Sequence, residues 1–418
     1  MEIKKEMEKI ARRAKLAASR MANLTPQVKN KALLAMAKAI EERAEDIMSQ
    51  NRLDLKKARK EGLSPALIDR LTLDDKRIKS MAKGLREIAE LADPVGEVIE
   101  EKVRPNGLRI KKIRVPLGVV TIIYEARPNV TGDAVGLCLK AGNAVILRGG
   151  SEAINSNKAI AKVLREAAYA SGVPEGAIQL VETTEREAVF ELVRMDELID
   201  VVIPRGSEEM IKNIRAMATV PVIGHGKGLC HTYVDKDADL EMAERICFNA
   251  KVQRPGVCNA METLLVHKDV ARDFLPKMIE KFGEAKVEIR GDDKAKSIVP
   301  HIKKAREEDW RTEYLDLILS VKVVDSLSEA IEHIGKYGSM HSEAIVTRDK
   351  DAARRFLEEV DASSVFWNAS TRFTDGGEFG MGAEIGISNQ KLHARGPMGV
   401  RELTSTKFLI FGNGQIRE

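Results

Sequence analysis

Apolar residues in the first 92 positions recur at intervals of three and four, which is the spacing of amphipathic helices. One set lies between residues 11 and 21 and the next between residues 32 and 40. The two sets are Ala11, Ala14, Leu16, Ala17 and Met21, and then Ala32, Leu33, Leu34, Ala37 and Ile40. The pattern predicts a helical N-terminal region whose apolar faces pack against a core.

The pattern changes after residue 96. Two short segments rich in β-branched residues, 97–103 and 108–115, flank Asn106-Gly107, and Asn-Gly is a strong signal for a β-hairpin. Most of this hairpin is too polar to be core, so we expect it to project and pair with the β-like segment 403–411. A plain surface hairpin is the alternative.

From Pro116 onward, short apolar strands alternate with helical segments, and a second stretch of the same kind follows Cys230. In the first stretch the predicted strands are 117–124, 144–147, 177–181, 199–203 and 220–223. This alternation predicts an α/β fold with doubly wound, mostly parallel sheets. Ligands bind at the carboxyl ends of such strands, which directs attention to the loops after Leu147 and Ile203.

Composition narrows the class of protein. The 418 residues include 68 Lys and Arg against 64 Asp and Glu, a net charge of +4 that is spread along the chain. No basic block suggests nucleic-acid binding, and the apolar run 117–124 is far shorter than a membrane helix. The charged N-terminus is unlike a signal peptide, and the four cysteines are too scattered for disulfides or a metal site. We therefore expect a cytoplasmic protein with no metal, membrane or nucleic-acid partner.

Two loops carry the same phosphate-binding features. Arg148-Gly149-Gly150-Ser151 follows one predicted strand, and Arg205-Gly206-Ser207 follows another. Glycines allow close backbone approach, serine caps the following helix, and that helix presents its N-terminus to an anion. Either loop alone is ordinary turn chemistry, but the pair favours a phosphate-bearing cofactor. No G-x-G-x-x-G motif follows a strand, which disfavours the ordinary Rossmann mode.

Cys258 differs from the other three cysteines in its surroundings. It follows Arg254-Pro255-Gly256, which breaks the preceding helix, whereas Cys138 lies in an apolar helical segment. A thiol on such a turn is accessible, and nearby backbone N–H groups and Arg254 favour the thiolate. Cys258 is therefore a candidate nucleophile. His225 and His231 are second-rank candidates, because no spacing ties either of them to the cysteine.

With these residues the sequence resembles the aldehyde dehydrogenase superfamily, and within it the branch that reduces glutamate 5-phosphate. The superfamily features are the segments 116–120, 141–147, 205–207 and 237–240 and the cysteine loop. The features of the branch are 124–129, 253–260 and 393–399. The resemblance covers essentially the whole chain.

The resemblance implies reduction of L-glutamate 5-phosphate by NADPH to glutamate 5-semialdehyde and phosphate, in proline biosynthesis, through a thioester on Cys258. The glutamate with which hydrolytic relatives activate water is absent from 222–228, which suits a thioester that must reach hydride first. Arg148 replaces the lysine of the superfamily, and Ser151 replaces the ribose-binding glutamate of NAD-specific members. We therefore expect NADPH rather than NADH.

The resemblance also assigns roles to more distant residues. Glu313 falls where the superfamily binds the nicotinamide ribose. The oxyanion asparagine of the superfamily aligns with Ala126, so the oxyanion hole is expected to use the Cys258 N–H with Asn129 or Asn259. Charged groups of the substrate are assigned to four residues among which spacing does not choose, namely Arg127, Arg254, Asn368 and Arg395.

The implied architecture has two three-layer α/β/α domains and a small β oligomerisation element. Residues 1–96 and 116–230 form the nucleotide domain, 231–395 the catalytic domain, and 97–115 with 396–418 the oligomerisation element. A homodimer or homotetramer is expected. Because acyl phosphates are labile, contact with the kinase that makes glutamate 5-phosphate is a further hypothesis.

Two other readings stay open on the sequence alone. An aldehyde dehydrogenase that acylates CoA also lacks the water-activating glutamate. A non-catalytic nucleotide-binding scaffold that kept the fold would keep the glycine–serine loops but would not need Cys258.

Overall fold

The computed structural model describes residues 2–224 and 226–417, with only the backbone for Ala66. Its α-helices are α1 (Glu2–Met21), α2 (Pro26–Glu42), α3 (Ala44–Lys60), α4 (Pro65–Leu71), α5 (Asp75–Glu90), α6 (Val130–Lys140), α7 (Ile154–Ala170), α8 (Glu187–Leu192), α9 (Glu208–Met217), α10 (Leu240–Val252), α11 (Lys268–Glu284), α12 (Asp293–Ile298), α13 (Leu327–Tyr337) and α14 (Lys350–Glu359). Short 3-10 helices span Ser151–Ala153, Glu307–Arg311 and Thr371–Phe373.

The strands follow the predicted alternation with helices. They are β1 (Val98–Val103), β2 (Arg109–Pro116), β3 (Val119–Tyr124), β4 (Ala144–Gly149), β5 (Ile178–Leu180), β6 (Val201–Arg205), β7 (Cys230–Val234), β8 (Met261–His267), β9 (Glu288–Gly291), β10 (Lys303–Lys304), β11 (Ile318–Val324), β12 (Ser342–Val346), β13 (Ser364–Trp367), β14 (Ile387–Ser388), β15 (Gly396–Pro397) and β16 (Thr404–Phe411). The chain divides into two compact units. The first runs to Gly224 and adds 380–386 and the segment from Met398 onward, and the second holds the residues between, including 387–397.

The first unit is built on a parallel sheet in the order β5-β4-β3-β6. Every residue of β3 is buried, as expected for a parallel strand covered by helices on both faces. The helical N-terminal region supplies part of this cover, and Met7, Ala11 and Ala14 pack with sheet residues in one core cluster. The predicted α/β architecture is therefore confirmed for this unit.

Three expectations fail in the first unit. The predicted strand 220–223 is reduced to a single bridge between Val222 and Val202. Leu16 and Leu34 belong to the predicted apolar helix faces, but they are 74% and 51% exposed. Each of them is adjacent in sequence to a buried residue, Ala17 or Leu33. Because adjacent side chains of a helix point in different directions, these two point away from the core.

The hairpin prediction is confirmed. β1 and β2 pair antiparallel, and β16 adds to β2 along its whole length, with Lys407 opposite Ile113. All six residues of β1 are exposed, and β16 exposes Phe408 and Ile410. The three strands thus form a separate sheet with large apolar side chains in contact with solvent.

The second unit holds a larger parallel sheet in the order β10-β9-β11-β8-β7-β12-β13. Its central strands β7, β8 and β12 are wholly buried. A core cluster around Phe274, Leu275 and Phe282 of α11 packs against β8 and β11. The turn between α10 and β8 carries Cys258, so this residue lies at the amino end of a central strand.

Candidate active site

Cys258 lies on the turn that joins α10 to β8. The turn is closed by the Ala260 N–H, which donates to the Val257 carbonyl at 3.1 Å. Cys258 is half-buried, whereas Cys138, Cys230 and Cys247 are completely buried, and burial raises the pKa of each of those three thiols. The accessible thiol predicted from Pro255-Gly256 is therefore the least buried of the four.

Arg372 is a functional candidate that the sequence analysis missed. Its guanidinium donates to the side chain of Asn259 and, at 2.8 Å, to Gln253, so it spans the Cys258 turn. Burial and the neighbouring Arg254 lower the pKa of Arg372, while Cys258 acts in the opposite direction. This electrostatic coupling puts a cation within the field of the thiol, the arrangement that favours a thiolate.

Asn259, predicted as an oxyanion donor, is 4% exposed and fully engaged by the protein. Its amide donates to the Thr374 and Arg372 carbonyls at 2.8 and 3.3 Å, and its side-chain oxygen accepts from Arg372. These contacts indicate that Asn259 helps to shape the turn. They correct the expectation that its amide is available to an oxyanion.

Glu313 lies beside the same turn. Its carboxylate accepts the Gly228 N–H at 2.9 Å, and Gly228 is packed so closely on Cys258 that a Cβ there would overlap the backbone of the cysteine. The segment that carries Glu313 is anchored by Glu262. One carboxylate oxygen of Glu262 accepts the Leu315 N–H at 3.1 Å, and the other pairs with Lys251 at 2.6 Å. Glu262 and Lys251 are completely buried. Burial raises the pKa of Glu262 to about 7, although the charge of Lys251 acts to lower it.

The remaining candidates in this unit fall into two groups. Arg254 is exposed on the Cys258 turn. Arg395 is half-buried and pairs with Asp361 at 2.7 Å. The Nε of Arg395 is buried and has no partner in the described chain. Asn368 instead lies at the carboxyl end of β13, and its amide bonds both backbone groups of Thr347 at 3.0 Å. That end is opposite to the end where Cys258 precedes β8, which corrects the substrate-binding prediction for Asn368.

The second-rank histidines add nothing to this site. His231 is completely buried and pairs with Glu343 through Nδ1 at 2.9 Å, so it is a core residue. His225 lies outside the described residues.

In the first unit the predicted cofactor loops meet at one edge of the sheet. Tyr124 at the end of β3 is in register with Gly149 of β4 and with Arg205 of β6. Because these strands are parallel neighbours, the loops that follow them lie side by side. The loop after β3 carries Arg127 and Asn129, so these residues join the same edge.

The chain's own carboxylates already occupy several donors at this edge. Glu125 accepts the Ser207 N–H at 2.9 Å, and Glu152 accepts the Ala126 N–H. Ala126 has a φ of +36°, a strained value for a residue with a Cβ. The Glu152 side chain also covers Gly150, where a Cβ would overlap its carboxylate.

The two predicted serine caps have opposite outcomes. Ser207 caps α9 by accepting the Met210 N–H at 3.4 Å, as expected. Ser151 does not cap α7, because a 3-10 turn intervenes and α7 begins only at Ile154. Buried Asp54 of α3 takes this role, accepting the Asn155 and Ser156 N–H groups at 3.2 and 2.8 Å. The expectation that α7 offers its N-terminus to an anion is therefore wrong.

Two buried donors at this edge lack a protein partner. Arg148 donates through its terminal nitrogens to the Gly149 and Thr184 carbonyls at 3.1 Å, but its Nε and the Nδ2 of Asn157 have no partner among the described residues. Unsatisfied buried donors call for a ligand or solvent. Together with the adjoining glycines they fit a phosphate-bearing nucleotide.

Asn129 and Asp133 lie on the same side of this edge. Asn129 is exposed and donates to Asp133 at 3.3 Å. Burial raises the pKa of Asp133 to about 6, while Asn129 and the charge of Arg205 act to lower it.

The described residues contain neither a metal-binding cluster nor a membrane-spanning helix. In the described part of the chain, no group of three or more His, Cys, Asp or Glu side chains is arranged to hold a metal ion. None of the helices described here combines the length and apolar character that crossing a membrane requires.

Comparison with known proteins agrees with this architecture. The sequence model of the aldehyde dehydrogenase family matches residues 2–315. The chain is 59% identical to the γ-glutamyl phosphate reductase of Caldanaerobacter subterraneus subsp. tengcongensis, covering 99% of this chain and 100% of that protein. It is also 59% identical to the γ-glutamyl phosphate reductase of Moorella thermoacetica over 100% of both chains.

Solved structures give the same result. The crystal structure of γ-glutamyl phosphate reductase from Thermotoga maritima matches with a TM-score of 0.97 and 50% identity, covering 99% of this chain and 100% of that one. An acetylating aldehyde dehydrogenase from Geobacillus thermoglucosidasius, 19% identical with a TM-score of 0.73 and coverage of 100% and 98%, shares the fold. This chain therefore belongs to the aldehyde dehydrogenase family and, within it, to the γ-glutamyl phosphate reductases.

Proposed function

We propose that this protein reduces L-glutamate 5-phosphate to L-glutamate 5-semialdehyde and phosphate with NADPH, as a step of proline biosynthesis. The observation that carries the proposal is the Cys258 turn, where a half-buried thiol lies in the field of Arg372. The names of the relatives that match over the whole chain support the choice of substrate.

In this mechanism the Cys258 thiol gives its proton to solvent, and Arg372 stabilises the thiolate. The sulfur attacks the acyl carbon, and the bond from that carbon to the phosphate oxygen breaks, so phosphate leaves with the electron pair and a thioester remains. A nicotinamide cofactor, when bound, would supply the hydride that reduces this carbon. The carbon–sulfur bond then breaks, which releases the aldehyde and restores the thiolate.

Oxyanion stabilisation is assigned to the Cys258 N–H. Asn259 holds the turn through Arg372 and Thr374, and we assign it a positioning role instead of a donor role. Asn129, exposed just before α6, stays a prediction from the sequence for the second donor.

The phosphate-bearing part of the cofactor is assigned to the edge of the first sheet. Glu313 is proposed as the ligand of the nicotinamide ribose on the family resemblance alone. Arg148, with its unpartnered Nε, is the proposed partner of the 2′-phosphate of NADPH. Ser151 is exposed beside it, and the nearby Glu152 carboxylate is turned onto the Ala126 N–H. The other assigned residues are Gly149, Gly150, Arg205, Gly206 and Ser207.

Anionic groups of the substrate are assigned to Arg127, Arg254 and Arg395. Arg395 has the strongest support, because its buried Nε lacks a partner in the described residues while its terminal nitrogen is held by Asp361. Because Asp361 already orients the guanidinium of Arg395, its remaining N–H groups can bind a carboxylate of the substrate.

The decisive experiment is the reverse reaction, because the semialdehyde is more stable than the acyl phosphate. Oxidation of glutamate 5-semialdehyde is followed by absorbance with NADP⁺ or NAD⁺, in the presence of inorganic phosphate or CoA. We expect activity that requires phosphate, ignores CoA and prefers NADP⁺. Activity that requires CoA would identify a CoA-acylating enzyme.

Cys258→Ala separates catalysis from scaffolding. We expect turnover to fall by at least about 10³-fold while NADPH binding, measured by fluorescence titration, is retained. The matched control is Cys247→Ala, which removes a buried thiol of α10 outside the turn and leaves activity near that of the unaltered protein. Turnover that survives in Cys258→Ala would exclude Cys258 as the nucleophile, whereas an unaltered protein that binds NADPH but shows no turnover would support the scaffold reading.

Association is proposed through the sheet β1-β2-β16. Its exposed Phe408 and Ile410, in a sheet with no covering layer in the described chain, are typical of a surface buried by another copy. A homodimer or homotetramer follows. Contact with the kinase that produces glutamate 5-phosphate, glutamate 5-kinase, stays a hypothesis that co-purification of the two proteins tests.

A further inference from the structure

A cavity of about 530 Å³ lies in the first unit, at the amino end of β5, which is the sheet end opposite to the proposed cofactor loops. One wall is the α1 face carrying Arg13, Leu16, Ala17 and Arg20, and the other is the last two turns of α7, with Arg165 and Tyr169. The volume is within the range of sites for small molecules. Nothing in the proposed reaction uses this cavity.

The walls of the cavity are held firmly. Gly176, with a φ of +95°, lets the turn before β5 approach the α1 backbone at Arg13 so closely that a Cβ would clash. The Tyr169 hydroxyl accepts the Gly176 and Ile178 N–H groups at 3.1 and 3.4 Å and donates to the Ile178 carbonyl at 3.2 Å. A ligand would therefore meet a preformed surface.

Three arginines supply the charge of the cavity. Among the described residues, no carboxylate pairs with Arg13, Arg20 or Arg165, and Arg165 only donates through Nε to a carbonyl of its own helix at 3.4 Å. Glu175 is the one acidic residue in the lining, so the local charge is 3 − 1 = +2. Neighbouring Arg12 shows the contrast, because it pairs with Glu8 at 2.6 Å and does not line the cavity.

The spacing of the arginines indicates the chemistry of a ligand. Arg13 and Arg20 are seven residues apart, hence on one face of α1 and about 10 Å apart along its axis. Guanidinium groups bind phosphate and carboxylate in a bidentate manner, and groups this far apart require more than one anionic centre. We propose that this cavity binds a small polyanion carrying two or more phosphate or carboxylate groups.

The lining also includes two apolar side chains, Leu16 and Ala17. Leu16 lies between the two α1 arginines and is 74% exposed, so its side chain is open to contact from a ligand in the cavity. The site is independent of the proposed reaction, since its residues share none of the catalytic or cofactor assignments.

The test is isothermal titration with inorganic pyrophosphate at constant ionic strength, where each pyrophosphate addition is balanced with KCl. The proposed cofactor loops can also bind pyrophosphate. Binding to the cavity is therefore measured as the difference between the unaltered protein and a variant that lacks the cavity arginines. The variant is Arg13→Gln combined with Arg165→Gln, and the matched control is Arg12→Gln on the same helix. Urea unfolding confirms that each variant is folded.

We expect the unaltered protein and Arg12→Gln to bind one more pyrophosphate than the double variant, or to bind it at least tenfold more tightly. In the unaltered protein and in Arg12→Gln, but not in the double variant, pyrophosphate should also slow hydrogen exchange of the amides in 171–180. Identical isotherms for all three proteins would overturn the proposal. So would an equal loss in Arg12→Gln, or binding of a poly-glutamate peptide in place of pyrophosphate, because these indicate general charge attraction or a protein partner.

Discussion

Arg372 contacts the Cys258 turn through Gln253 and Asn259, and its charge acts on the thiol. Replacing it with Gln removes the cation that stabilises the thiolate, so the pKa of Cys258 should rise. The measurement is the rate of iodoacetamide alkylation against pH, expected to be several-fold slower at pH 7.

Arg372→Lys is the control for this prediction, because it keeps the charge while losing the fork that holds Asn259. Its alkylation profile should stay close to that of the unaltered protein. If Arg372→Gln and Arg372→Lys shift the profile equally, the effect comes from the shape of the turn and the electrostatic role is wrong.

Asp133 gives stability a pH dependence. Burial raises its pKa to about 6, whereas an unfolded aspartate titrates near 4. The folded state therefore binds the proton more tightly, and the free energy of unfolding falls as pH rises from about 4 to about 6. Asp133→Asn removes this dependence, so the native protein should lose about 1–2 kcal/mol relative to the variant over that window.

Urea unfolding at half-unit pH steps checks the Asp133 prediction, with exposed Asp46→Asn as the control. The difference between native protein and Asp133→Asn should be constant above pH 7. Parallel curves from pH 4 to 7 would show that Asp133 titrates normally in the folded protein.

The sequence predicted single residues only where a local signal exists. Pro255-Gly256 marks the Cys258 turn, because a Pro-Gly pair favours a turn over a helix. Arg372 lies more than a hundred positions later and has no signal of its own, since only the fold brings its segment back onto the turn. Asn368 is the opposite case, because its polar side chain suggested substrate binding but instead bonds to the backbone of Thr347 beside the end of β13.

At the scale of elements, the start of α7 depends on Asp54. Its carboxylate is 1% exposed and accepts from the backbone and side chains of Asn155 and Ser156. Asp54→Ala leaves these donors unpaired, and we expect the free energy of unfolding to fall by about 2–3 kcal/mol. Urea unfolding measures the loss, and hydrogen exchange should locate it in the first turn of α7.

Two further variants sharpen the capping prediction. Ser64→Ala removes a cap of α4 that makes one exposed bond at 3.4 Å, and it should cost no more than about 1 kcal/mol. Ser151→Ala should leave the α7 amides unchanged, because Ser151 does not cap that helix. A larger loss from Ser151→Ala than from Asp54→Ala would contradict the assignment.

Alternation of strand and helix was predictable because each element shows its own periodicity. The pairing of 403–411 with the hairpin was predictable because the hairpin is too polar to be core and 403–411 is β-like, and the register confirms it. The Asp54 cap was not predictable, since Ser151 satisfies the local rule for a helix start and only tertiary packing supplies the acid from α3. Local rules fail where a distant side chain is the stronger hydrogen-bond partner.

At the scale of the whole molecule, the β1-β2-β16 sheet is the feature that a monomer does not explain. Phe408 is 59% exposed and Ile410 63%, and both lie on β16, whose other edge is unpaired in the described chain. Phe408 stacks near Lys112 at 5.7 Å, which shields only part of the ring. Burying such side chains against a second copy contributes on the order of 2 kcal/mol each.

Phe408→Lys combined with Ile410→Lys therefore should dissociate the oligomer, because two charges replace the apolar contacts and repel their symmetry-related copies. Light scattering after size-exclusion chromatography should show the mass of the monomer, 46.2 kDa, for the double variant and a multiple of it for the unaltered protein. Phe190→Lys, which changes an exposed aromatic on α8, should keep the larger mass. A monomeric unaltered protein, or a double variant of undiminished mass, would exclude this sheet as the interface, and its apolar side chains would then need another partner.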